Sequence, residues 1–118
     1  MTAHADWKYN NSNNMGDAYI DYSRIKNEGK YKSLWNLFDL NSTETNSSGK
    51  QYKSMVLKKV IDCQFSRTQI VALYCYSEKM GKGEVVVSEN YQIQESEWQY
   101  PPPNSISEGS INIACGKK

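Results

Sequence analysis

Hydrophobic and polar residues alternate with a period of two along much of this chain, and clusters of Asn, Ser and Gly separate the alternating runs. That period sends successive side chains to opposite faces of an extended strand. Residues 6–10 and 17–21 read as two short strands around a polar turn, because Asn, Ser and Gly accept turn conformations. Residues 23–29 read as a tight connection containing one helical turn ended by Gly29. Residues 30–40 then set Tyr31, Ser33, Trp35 and Leu37 against Lys32, Leu34, Asn36 and Phe38. Both sets hold apolar side chains, which implies a strand covered on both faces over part of its length.

Residues 41–49 form the most polar segment and read as an exposed loop. A long strand over 50–63 follows, with Met55, Leu57, Ile61 and Cys63 on one face and Val56 and Val60 on the other. Lys50, Lys53, Lys58 and Lys59 make this strand basic, which fits an edge strand protected against sheet-to-sheet pairing, with an anionic-ligand patch as the sharper alternative. Residues 67–77 are the clearest strand, Gly81-Lys82-Gly83 signals a hairpin, and residues 84–88 carry a β-branched Val run. Residues 90–100 show no clear period, and Pro101, Pro102 and Pro103 stop any ladder because Pro lacks an amide hydrogen. Ser105 and Glu108 have capping-box spacing, opening a short helix with Ile106, Ser110, Ile113 and Ile111 on its apolar side and an end near Gly116. The pattern predicts an α+β, mostly β fold over residues 6–118: one domain with a single antiparallel sheet of about five to six strands and a short C-terminal helix.

Composition makes the core of such a domain thin. Leu, Ile, Val and Phe number 21 of 118 residues, a share typical of disordered chains when net charge is high, but here the net charge is only +1. Nine Tyr and three Trp restore apolar area, each burying up to about 150–250 Å². The balance of 14 basic and 13 acidic residues argues against a general nucleic-acid binder, which gains affinity by releasing counterions from phosphates. No apolar run approaches the roughly 20 residues of a transmembrane helix. Ala3-His4-Ala5 has the small-x-small pattern of a signal-peptidase site, so residues 1–5 read as the remnant of an export signal or a tag.

Candidate chemistry is sparse. The only His is His4, near the start, so a nucleophile–His pair has no base to draw on, and no catalytic residue is assigned. The three Cys are spaced by 12 and 40 residues, which matches no zinc signature; no metal or cofactor is expected. In an exported chain three Cys imply one bridge and one remainder. A Cys63–Cys115 bridge would tie the terminal helix to the sheet and contribute about 4 kcal/mol in the chain-entropy picture. A Cys63–Cys75 bridge would instead cross a hairpin and leave Cys115 free. Outside a bridge, Cys75 reads as a buried, unreactive thiol in mid-strand.

The landmarks fall in a telling order. Asp6-Trp7-Lys8-Tyr9 is followed by Tyr19-Ile20-Asp21, Ile25 before Gly29, a strand with Trp35, Ser54 in a long strand, Asp62-Cys63, Met80-Gly81-Lys82-Gly83, Trp98 before prolines, and Cys115-Gly116. This ordered set resembles the bacterial surface-adhesin E family over nearly the whole chain. The resemblance implies a mostly antiparallel sheet with a C-terminal helix linked through Cys63 and Cys115, and a setting in the periplasm or on the outer surface. It also implies a non-enzymatic binding role toward a protein partner, such as a host extracellular-matrix or plasma protein. A periplasmic inhibitor of a host hydrolase such as lysozyme, acting through a protruding loop, and a structural envelope component are the competing roles. The Asn- and Ser-rich loops and the extra Cys75 depart from the family pattern, so the ligand does not carry over. Tyr9, Tyr91, Trp98 and Tyr100 are the candidate ligand-binding residues, since large aromatics anchor protein interfaces. Trp98 has the competing role of packing in an aromatic-dependent core.

Overall fold

The computed structural model describes residues 5–116. His4 and the rest of residues 1–4 lie outside the described residues, and with them most of the expected export-signal remnant. Strands β1 (Trp7–Asn13) and β2 (Gly16–Asp21) form a hairpin around Asn14-Met15. The Asn13 carboxamide holds that turn, accepting from the amides of Met15 at 2.8 Å and Gly16 at 3.2 Å. Strands β3 (Lys26–Glu28), β4 (Tyr31–Thr45), β5 (Gln51–Asp62), β6 (Arg67–Tyr76) and β7 (Val85–Asn90) complete an antiparallel sheet of order β1-β2-β4-β5-β6-β7. The expected mostly β architecture is present, with one strand more than the five to six read from the pattern.

The added strand is β3, which stands where one helical turn was expected. A 3₁₀ turn does form, earlier, at Tyr22–Arg24, with Asp21 accepting from the amide and hydroxyl of Ser23. β3 then pairs with Tyr31–Ser33 while β2 pairs further along with Asn36–Leu40, so the two share one side of β4. All three β3 residues are exposed, so they carry no alternation that the sequence could reveal. β4 also runs past the expected loop boundary. Its polar end pairs Glu44 with Tyr52 and Thr45 with Gln51, beyond an irregularity after Asp39, and the remaining turn is held by Asn46 accepting from the amides of Ser48 and Lys50.

β5 lies between β4 and β6, which overturns the edge-strand reading of its lysines. Lys58 pairs with Glu28 at 2.9 Å on one face, Lys53 reaches Glu78 at 3.7 Å, and Lys59 is buried on the other face. The predicted division of β5 into two apolar faces holds. On one face Leu34 and Ile61 pack with Ile111 and Ala114 of the helix, flanked by Ile25, Cys63 and Cys115. On the other, Leu37 and Val56 are covered by the 3₁₀ turn Lys79–Gly81. Gly81 sits at φ +69°, and a Cβ there would stand 3.1 Å from the Leu37 side chain and 3.4 Å from that of Val56. This turn is tied down by buried Ser54, whose hydroxyl donates to the Glu78 carbonyl at 2.6 Å and accepts from the Gly81 amide at 2.8 Å.

Helix α1 (Ile106–Cys115) begins with the expected hydroxyl cap: Ser105 Oγ accepts from the Glu108 amide at 3.1 Å. The reciprocal carboxylate bond lands one residue earlier than in a standard capping box, on the Asn104 amide at 2.8 Å. Gly116 ends the helix in the left-handed region at φ +70°. The buried side of α1 is Ser110, Ile111 and Ala114; Ile106 and Ile113, expected inside, are only partly buried. Two ties fix this rotation. Cys115 is bonded to Cys63 at the end of β5, with the Cα atoms 5.7 Å apart, and the Asn36 carboxamide reaches Ser110 Oγ at 3.5 Å. Cys75 is a buried free thiol.

Candidate functional site

Arg67 opens β6 directly after the turn that follows Cys63, so the disulfide end of the sheet presents its guanidinium. Asp62, the last residue of β5, is its register partner and accepts from Arg67 Nε at 2.8 Å. The guanidinium lies 4.5 Å from the centroid of the Trp98 ring and 5.0 Å from that of Phe65, a cation held over two aromatic rings. Its Nη1 donates to the Tyr100 hydroxyl at 3.3 Å and stands 3.7 Å from Glu95. Behind it, Tyr31 meets Trp98 edge-on at 5.2 Å. A backbone bridge from Gln99 to Thr68 holds the segment bearing Trp98 and Tyr100 against β6.

The division of labour in this corner follows from exposure. Trp98 is 7% exposed and packs as core, whereas Tyr100 is 65% and Phe65 56% exposed. Arg67 therefore links a buried platform to two rings facing solvent, and its ion pair with Asp62 fixes the fork in advance. Rigid aromatics around a preset Arg are the composition of interface hot spots.

The four aromatic residues singled out from the sequence do not form one site. Trp98 and Tyr100 meet at Arg67. Tyr9 lies on edge strand β1, packed edge-on against Tyr19 at 5.9 Å and bonded to Ser12 at 2.6 Å. Tyr91 follows β7 and donates to Glu89, a bond that pushes its phenol pKa up. Phe65, Arg67 and Tyr31 were not singled out, because a single charge or ring gives no local signal that it will converge with positions far away in the chain. Among the described residues no cluster of His, Cys, Asp and Glu is arranged to hold a metal ion. Burial pushes the Cys75 thiol pKa up, with Glu89 adding to the effect, so little reactive thiolate forms.

The sequence profile of the family described as surface-adhesin protein E matches residues 7–116. The chain belongs to that family. Its fold agrees with the structure of Haemophilus influenzae protein E at a TM-score of 0.66 and 16% identity, over 98% of this chain and 91% of that one. A second crystal form of the same protein gives 0.64 and 16% over 84% of this chain and 80% of that one. Protein E from non-typeable Haemophilus influenzae gives 0.62 and 18%, over 92% of this chain and 75% of that one. At such identities the likeness is one of fold. Comparison with curated proteins finds no match. Membership of the adhesin family identifies an adhesin-like surface protein and an extracytoplasmic setting, and the bond between Cys63 and Cys115 suits an oxidising compartment. Among the described residues no helix is long and apolar enough to cross a membrane.

Proposed function

We propose that this chain is a non-enzymatic, exported binding protein of the bacterial surface or periplasm that captures a protein partner through the corner built around Arg67. The observation that carries this reading is the pair of exposed rings, Tyr100 and Phe65, flanking a guanidinium already fixed by Asp62. Such a patch needs little ordering on contact, so more of its interaction energy goes to affinity. A host extracellular-matrix or plasma protein is the class of partner that the family suggests.

One feature favours a second reading. The end of β4 and the start of β5 extend beyond the pairings of β2 and β6 as a two-stranded arm, the kind of protrusion an inhibitor inserts into the cleft of a hydrolase such as lysozyme. Both readings are tested by titrating the protein against immobilised matrix and plasma proteins and, separately, against active lysozyme. The expected result is saturable binding to a protein of the first group, weakened about tenfold or more by a Tyr100→Ala, Phe65→Ala double substitution that leaves thermal unfolding unchanged. Binding that survives the double substitution would overturn the role of the corner. Inhibition of lysozyme without matrix binding would transfer the function to the arm.

A further inference from the structure

We infer that a groove on the helix side of the sheet is a binding site for a small carboxylate with an apolar tail, with Lys59 as the charge partner. The groove holds about 670 Å³, inside the range of about 300–1,000 Å³ in which small ligands are usually bound. Phe38, Met55, Leu57 and Leu73 from β4, β5 and β6 form its floor, and the first turn of α1 and residues 91–99 form its walls. Leu37 also contributes to its lining, and the groove shares none of the exposed rings of the Arg67 corner.

Lys59 makes this more than a gap in packing. Its side chain sits among the lining residues yet is only 8% exposed, and its polar contact is a long one, Nζ to Ser107 Oγ at 3.4 Å. Among the described residues no carboxylate stands within ion-pair distance of it. The contrast with its chain neighbour is direct: Lys58, on the opposite face, has Glu28 at 2.9 Å. Glu97 is the other charged residue lining the groove, and Glu108, at the start of α1, is engaged with the Asn104 amide. Diagonal to Lys59 on the same face, buried Asn36 also lines the groove and has a carboxamide oxygen with no hydrogen-bond partner. Burial draws the Lys59 pKa down to about 8, as expected for a cation lacking a counterion.

Charge complementarity selects the occupant. A single buried cation is matched by a monoanion. A phosphate or other multiply charged group would bring excess charge into an apolar cleft that already carries Glu97. The apolar floor selects a hydrocarbon tail. A carboxylate seated on Lys59 would convert an unpaired buried charge into a charge-assisted hydrogen bond.

The test uses decanoate as probe, below its aggregation concentration, with titration calorimetry on the whole chain. Saturable one-to-one binding is expected, with 1-decanol, which has the same tail and no charge, at least tenfold weaker. Lys59→Met should abolish that preference by weakening decanoate at least tenfold while leaving decanol unchanged. Ile70→Glu provides a second variant at an exposed lining position, where a new anion should repel decanoate and a folding defect is not expected. Equal binding of decanoate and decanol, or decanoate binding untouched by both substitutions, would overturn the site. Tighter, Lys59-dependent binding of a short acetylated peptide with a free C-terminal Leu carboxylate would overturn the choice of occupant in favour of a peptide terminus. A Tyr100→Ala, Phe65→Ala protein should bind decanoate normally, which keeps this proposal separable from the role of the Arg67 corner.

Discussion

Replacing Lys59 with Met should make the protein more stable. A buried lysine without a counterion folds against its preference for charge, and the size of that penalty follows from its titration. The unfolded chain holds this proton up to about pH 10.5, whereas the folded chain releases it at about 8. At 1.36 kcal/mol per pH unit, the difference corresponds to about 3 kcal/mol at neutral pH. The sign is fixed by which state binds more protons. Between pH 8 and 10.5 that is the unfolded state, so wild-type stability gains from this group as pH rises through the window. Below pH 8 the penalty is present in full. Lys59→Met removes it at the loss of one long contact to Ser107. Urea unfolding of the oxidised protein, followed by Trp fluorescence from pH 7 to pH 10.5, measures both effects. The variant should exceed wild type by up to about 3 kcal/mol at pH 7, with the gap closing toward pH 10.5. Parallel curves, or a variant less stable than wild type at pH 7, would refute the reading of Lys59 as an unpaired buried cation.

Two further substitutions probe the frame that positions these sites. Gly16→Ala places a Cβ 2.2 Å from the Asp39 carbonyl oxygen, where neither backbone can yield easily, so a loss at the upper end of about 1–3 kcal/mol is expected in chemical unfolding; an unchanged midpoint would mean that β2 and β4 are not in this register. Ser54→Ala strands the Gly81 amide and the Glu78 carbonyl, and should lower stability by about 1–3 kcal/mol while raising amide exchange selectively in residues 78–82. Uniform exchange across the sheet would argue against a local anchor.

Much of the sheet was legible because one physical signal carries it. Met55, Leu57 and Ile61 face the helix and Val56 and Val60 face away because a period of two leaves no freedom once one face is buried. The Ser105 cap and the Gly116 stop were legible for the same reason, since both satisfy local backbone groups. What stayed hidden had no local signature. β3 is fully exposed, and the polar end of β4 is a strand only because Gln51 and Tyr52 lie opposite it. Lys59 looks like any strand lysine until β6 is known to flank β5 and α1 to cover it. Among the candidate aromatics, Trp98 and Tyr100 were visible as residue types, but the site depends on Arg67 and Phe65, brought to them by the Thr68–Gln99 bridge and the turn after Cys63.

The covalent tie between sheet and helix deserves the most direct measurement, because the packing of α1, the groove it walls and the extracytoplasmic setting all meet there. Peptide mapping of protein recovered from the native envelope, alkylated before digestion and run without reductant, reads it in one step. The expected product joins the peptides containing Cys63 and Cys115, with Cys75 on a separate peptide. Free thiols at positions 63 and 115, or Cys63 linked to Cys75, would contradict the clasp and the exported, disulfide-closed domain built upon it.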